Sequence, residues 1–204
     1  MRFLILLGAF LLTACVGSPP RQTEIARHDL GDPESRWPAT SIAISRVEVR
    51  VAAWLDTPMQ LYRLTYADSL RRHSYAENRW AAPPGELLER WLQRRILSGP
   101  IEGAGPGCRL VLWLDELEQR FDAPHSSQVV LDVRASLQPL RGDTVLAQYA
   151  FHLAKAAPSP DARGGVMATR MAADALSQDL ARWLGAVARE RPQVIASCKE
   201  IKEK

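Results

Sequence analysis

The chain has 204 residues, of which 47% are hydrophobic and 24% charged, and its formal net charge is +3. That is ordinary globular composition, with enough length to bury a core. So small a charge, without a Lys/Arg run or a repeated aromatic platform, argues against nucleic acid as a partner.

The N-terminus carries the first signal. Arg2 precedes an apolar run from Phe3 to Leu12, and small residues then lead to a cysteine, which is the layout of a bacterial secretory leader. The run falls well short of the roughly 20 residues that span a bilayer. It reads as a cleaved leader. Leu12-Thr13-Ala14-Cys15 resembles the lipobox of bacterial lipoproteins, which implies cleavage after Ala14 and thioether attachment of diacylglycerol to Cys15. Only a thiol is nucleophilic enough there for that alkylation, and several acyl chains, at about 0.8 kcal/mol per buried methylene, make the anchor permanent. Val16 stands where lipoproteins kept in the inner membrane carry Asp, so the resemblance favours the outer membrane.

Residues 15–23, with Pro19-Pro20, have no hydrophobic period and read as a lipidated tether; residues 24–198 then read as a single domain. Glu24 to Leu30 can form a short first strand, and Asp32-Pro33 and Trp37-Pro38 break the chain after it. From Ser41 to Val51 the sequence alternates, with Val47, Val49 and Val51 on one face and Arg46, Glu48 and Arg50 on the other, as a half-buried strand requires. A turn at Leu55-Asp56-Thr57-Pro58 precedes a second strand from Met59 to Thr65. Ser69 to Tyr75 reads as extended.

Pro83-Pro84 opens a helix, since proline is tolerated in the first turn. Leu88, Trp91, Leu92 and Ile96 recur at helical spacing, and Arg90, Arg94 and Arg95 are expected on the outer side. The segment Ser98 to Gly107 ends the helix. Cys108 to Phe121 is apolar on both faces in its first half and so predicts a central strand covered on two sides. Gln128 to Leu140 alternates cleanly, and Arg141-Gly142-Asp143 turns it into a third strand, Thr144 to Ala156. After a Pro/Gly/Ser loop from Pro158 to Gly165, Ala173, Leu176, Leu180, Trp183, Leu184 and Val187 form the apolar stripe of a long helix from about Val166 to Arg189. Residues 199–204 are expected to be a disordered tail. The order predicts an α+β fold of two layers, a mainly antiparallel sheet with two main helices packed on one face.

With Cys15 assigned to lipid, Cys108 and Cys198 remain, and an oxidising periplasm permits them to pair; packed reduced cysteines are the alternative. No catalytic constellation emerges. His28, His73, His125 and His152 are scattered without metal-ligand spacing, so neither a metal site nor a cofactor is expected. No GxSxG marks a nucleophile. The glycine-rich run Gly103 to Gly107 precedes a strand and lacks the lysine of a phosphate loop. Arg141-Gly142-Asp143 is what a hairpin turn needs, and Asp115, Glu116 and Glu118 read as a solvated strand edge. Trp80, beside Arg79 and just ahead of the first helix, reads as core or, with Arg79, as a partner or subunit contact.

One tract carries a family resemblance. Trp54-Leu55-Asp56-Thr57-Pro58, then Leu61-Tyr62-Arg63, a stretch ending at Tyr75, and Arg79-Trp80-Ala81-Ala82-Pro83 leading into Leu87-Leu88 resemble the ABC-type transport auxiliary lipoprotein family. Leu114-Asp115-Glu116-Leu117-Glu118, Phe121-Asp122 and the closing amphipathic helix continue the likeness in order and spacing. The arginine content between Thr65 and Ser74 departs from the pattern. The resemblance implies a non-enzymatic periplasmic lipoprotein that works with an MCE-domain protein and inner-membrane transporter components to move lipid between the two membranes. It also leaves a homo-oligomer open. Two rival readings are a lipoprotein that itself carries lipid and an anchored hydrolase.

Overall fold

The computed structural model describes residues 24–34, 37, 41–97 and 107–199. The lipobox, the tether and the glycine-rich run up to Pro106 therefore lie outside the described residues, as do residues 200–204 of the tail. The strands are β1 (Ala26–His28), β2 (Ile44–Val51), β3 (Met59–Leu64), β4 (Arg72–Trp80), β5 (Cys108–Ala123), β6 (Ser126–Pro139) and β7 (Ala147–Ala156). Among the described residues three α-helices accompany them: α1 (Pro84–Ile96), α2 (Ala162–Glu190) and α3 (Pro192–Lys199).

All seven strands join one mixed sheet organised around β5. Along one side of β5 runs β6, antiparallel, and β7 follows β6 in the same sense. Its other side is shared end to end by two parallel neighbours. β2 lies against Cys108 to Leu114, and β3 against Gln119 to Phe121. Between β2 and β3 the chain makes a single 3-10 turn, Ala53–Leu55. β4 returns antiparallel to β3, and the short β1 closes that edge parallel to β4. The long ladders are the antiparallel ones; the parallel pairings join segments that are distant in sequence, and local alternation does not announce them.

The helices cover one face. Leu88, Trp91 and Leu92 of α1 and Leu176, Leu180 and Leu184 of α2 are buried in one cluster with Leu110, Leu112 and Leu114 of β5 and Leu131 and Val133 of β6. An irregularity in the β5 ladder between Leu114 and Glu116 shifts the inward set from Leu112 and Leu114 to Leu117, Gln119 and Phe121. The expectation of a strand covered on both sides is corrected here. Val111 on the opposite face is buried, but its neighbour Trp113 is 39% exposed because no helix lies over it.

The long helix starts four residues earlier than its periodicity suggests. Asp161 caps it by accepting from the Gly164 amide at 2.7 Å, and the Ser159 hydroxyl donates to the same carboxylate at 2.8 Å. A Cβ on Gly165 would sit 2.2 Å from Gln119 Oε1, so glycine there is a close-approach residue of the helix and not a loop signal. Gln119 donates to Ser127 and to the Asp161 carbonyl and accepts from the Tyr75 hydroxyl, while Gln60 donates to the Ala162 carbonyl. This buried polar knot ties β3, β4, β5 and β6 to the start of α2.

Arg95 also departs from expectation. It is 3% exposed, donates to Asp174 of α2 at 2.5 Å and lies over the Trp91 ring. Helical spacing placed it outside α1, but α2 packs across that flank.

Candidate functional site

An open cleft of about 460 Å³ lies between the loop after β1 and the outer side of α1. Asp29, Asp32, Glu86, Arg90 and Arg94 supply charges of both signs, and Leu30, Leu87, Ala81 and Ala82 supply apolar wall. Arg94 pairs with Asp32 at 2.5 Å and Arg90 with Glu86 at 2.7 Å. Gly31 turns the loop with a φ of 63°, a left-handed conformation that glycine adopts without a Cβ penalty. Beneath lies an apolar hollow of about 10 Å³ lined by Trp80, Leu117, Leu131 and Ala173, and sharing Leu30 and Leu87 with the cleft.

The sequence left Trp80 as core or, with Arg79, as a partner or subunit contact, and the structure favours the core. Trp80 ends β4, is 4% exposed and belongs to the core. Arg79 turns back along its own strand to the Tyr75 and Asn78 carbonyls. The accessible surface begins one residue later, at Ala81 and Ala82 on the cleft wall. Cys108 opens β5, and Cys198 stands on α3; they form a disulfide with a Cα–Cα distance of 4.8 Å. Cys15 is outside the described residues.

The opposite, helix-free face carries charges on β2, β3, β4, β5 and β6. Glu118, whose side chain is fully buried there, accepts from Arg63, Arg72 and Arg120, and Glu116 accepts from Arg72 at 2.6 Å. Arg72 also stacks on Trp54, its guanidinium carbon 3.6 Å from the ring centre. Burial opposes the charge of Glu118, yet hydrogen bonds from Arg63 and Arg120 and the fields of Arg63 and Arg72 outweigh it and hold its carboxyl below the ordinary value. Burial, with the Glu118 charge beside it, pushes the Glu116 carboxyl up against the opposing pull of Arg72 and Arg120. The acidic run is therefore an ion-pair node and not the solvated edge that its sequence suggested. Arg63 and Arg72 of the β3–β4 hairpin and Arg120 of β5 are its counter-charges.

Three of the histidines and the Arg-Gly-Asp turn make local contacts. His28 pairs with Asn78, His73 stacks on Tyr62, and His152 meets Asp132 at 2.5 Å. Asp143 of the Arg-Gly-Asp turn accepts from Arg109 at 2.8 Å. Among the described residues no group of three His, Cys, Asp or Glu side chains is placed to hold a metal, and no helix is long and apolar enough to cross a membrane.

Fold and surface together define a class: a small α+β module, stapled between its central strand and its last helix, with a mixed-charge cleft on one side and a charged open sheet on the other. The chain belongs to the family of ABC-type transport auxiliary lipoprotein components, whose model matches residues 29–181. No curated protein matches the chain. Among solved structures it is similar to protein XCC0632 from Xanthomonas campestris, of the family DUF330, with a TM-score of 0.65 at 18% identity, covering 83% of this chain and 97% of that one. A crystal structure of an uncharacterized protein is similar with a TM-score of 0.57 at 16% identity, covering 79% and 99% of the two chains. At such identities the likeness concerns the fold.

Family membership makes the protein an auxiliary component of a transport system and implies a membrane-associated, periplasmic location.

Proposed function

We propose that the protein is held at the periplasmic side of the outer membrane by acyl chains on Cys15 and serves as the docking component of an MCE-type lipid transport system. The family match over residues 29–181 carries this reading, together with the lipobox that precedes it. The domain contributes position and a shaped surface. The cleft beside α1 is where a partner segment docks: it offers apolar wall between charges of both signs, so it can accept an extended or helical segment that carries complementary side chains.

The carrier alternative gains no support from the interior. The apolar hollow, at about 10 Å³, is the size needed for about one water, far too small for an acyl chain.

The test is retention of the MCE partner by the mature chain on a resin. Wild type is expected to retain it, and Ala82→Arg, which fills the cleft from its half-exposed wall, is expected to release it while keeping the native circular dichroism spectrum. No retention by wild type at micromolar concentration refutes docking. Intact mass of the protein isolated from membranes tests acylation of Cys15, and a chain without lipid refutes the anchor.

A further inference from the structure

The helix-free face has no role in the docking just described, and its composition is unusual for an open sheet. Cross-strand register places Arg50 of β2 beside Trp113 of β5, and Trp113 beside Arg134 of β6. The two guanidinium carbons lie 5.2 and 5.9 Å from the Trp113 ring centre. Around this row the arginines stand farther out than their acids, whereas at the start of β5 the order reverses, with Arg109 13% and Asp143 91% exposed. The side chains of Arg46, Arg50 and Arg134 are 61%, 49% and 62% exposed, against 26% for Glu48 and 39% for Asp115, their partners. Around Trp113 the face therefore presents cations outward, about an indole that is 39% exposed.

We propose that this face, centred on the row Arg50, Trp113 and Arg134, lies against anionic phospholipid headgroups. Two features select a membrane over an acidic protein. A protein interface is built on a desolvated apolar centre, whereas here Trp113, and Trp54 beneath Arg72, sit among long cationic side chains, the combination that suits the headgroup layer. The second is reach. On the anchored reading, on which this inference depends, residues 15–23 extend at most about 30 Å and keep the domain beside the bilayer. The cleft, in the helix layer, then stays open to a partner.

The experiment uses residues 15–204 with Cys15→Ser, so that no acyl chain contributes, sedimented with vesicles of phosphatidylcholine alone or with added phosphatidylglycerol. Binding is expected only with phosphatidylglycerol, and salt at about 0.5 M should release it, as screening demands. The tryptophan emission should shift to shorter wavelength in wild type but not in Trp113→Phe. The double variant Arg50→Gln/Arg134→Gln should bind about 25-fold more weakly, about five-fold for each cation. Its exposed ion pairs add little to stability, so it should keep the wild-type melting temperature. Arg182→Gln/Arg189→Gln removes the same charge from exposed positions on α2 and should change affinity less than about two-fold. Equal binding to both vesicles, equal loss in the two double variants, or binding without a Trp113 response overturns the proposal. Lipidation of Cys15 is read separately by mass, so a lipidated protein whose soluble form ignores phosphatidylglycerol refutes this contact and leaves the anchor standing.

Discussion

Replacing Glu118 with Gln tests whether the ion-pair node holds the β3–β4 hairpin to the rest of the sheet. The parallel ladder between β3 and β5 joins only Tyr62, Arg63 and Leu64 to Gln119, Arg120 and Phe121, which is a short seam for a hairpin to hang on. Glu118, with a fully buried side chain, spans the seam by accepting from Arg63 and Arg72 on the hairpin and from Arg120 on β5. Removing one partner of a buried pair costs about 3–5 kcal/mol because the remaining charge is left uncompensated. Here the arginine side chains are 16%, 29% and 32% exposed, and Glu116 still pairs with Arg72. Water and Glu116 thus recover part of the loss, and about 2–4 kcal/mol is expected for Glu118→Gln. With a urea slope of about 2 kcal/mol per molar, the midpoint falls by about 1–2 M.

The loss should also be local. Amide hydrogen exchange should accelerate in β3 and β4 before it does in β6 and β7. The pH dependence has a fixed sign. Because the folded carboxyl of Glu118 lies below its unfolded value, its contribution is full above the unfolded pKa and is lost as pH falls through the folded one. Glu116, raised by burial, acts the other way, and folding gains from it as pH falls through its folded pKa. Glu118→Gln should therefore flatten the acid limb of the wild-type stability curve. A change below about 0.5 kcal/mol, or exchange that rises evenly over the sheet, would refute the reasoning.

Other perturbations have equally definite outcomes. Cys198→Ser opens a bridge spanning 90 residues, and chain entropy puts the loss near 4–5 kcal/mol; a urea midpoint equal to that of wild type would contradict it. Asp161→Ala removes the cap of α2 and should cost about 1 kcal/mol. Since hydrogen bonds from the Gly164 amide and Ser159 hold the Asp161 carboxyl below its ordinary value, the difference between variant and wild type should fade as pH drops through that folded value. Gly165→Ala pushes a methyl into Gln119 and should destabilise by about 1–3 kcal/mol, read as a lowered melting temperature.

What the sequence revealed was what is local. The alternation of Val47, Val49 and Val51 and the stripe through Leu176, Leu180 and Leu184 each lie within one element, so a window of a few residues contains the whole signal. The β6–β7 strands were legible for the same reason, since a turn joins neighbours in sequence. The parallel pairing of β2 and β3 along one side of β5 was not, because its partners are more than fifty residues apart. Gly164-Gly165 misled by type: glycine marks a loop on average, but here the absence of a Cβ lets α2 approach Gln119. α3 is only eight residues long and has no marked stripe, so periodicity could not find it.

Trp80 and the arginines of the hairpin show the same limit from the functional side. A tryptophan ahead of a helix invites a surface reading, yet the segment around it is strand, and the strand's alternation carries the ring inward beneath the cleft that a partner could use. Of the two readings the sequence left for Trp80, core and contact, the structure bears out the core. Conversely, the acidic run of β5 and the arginines of β3 and β4 looked like two unrelated oddities of composition. Across the seam they are one feature, because a buried carboxylate surrounded by guanidiniums is stable only if each compensates the other. Glu118 without its arginines would be an isolated buried charge, and without Glu118 the Arg63 and Arg72 guanidiniums would keep only Glu116 and the Ser69 carbonyl between them. The node occupies one end of the face and leaves the neighbouring row, where Arg50 and Arg134 flank Trp113, to face outward.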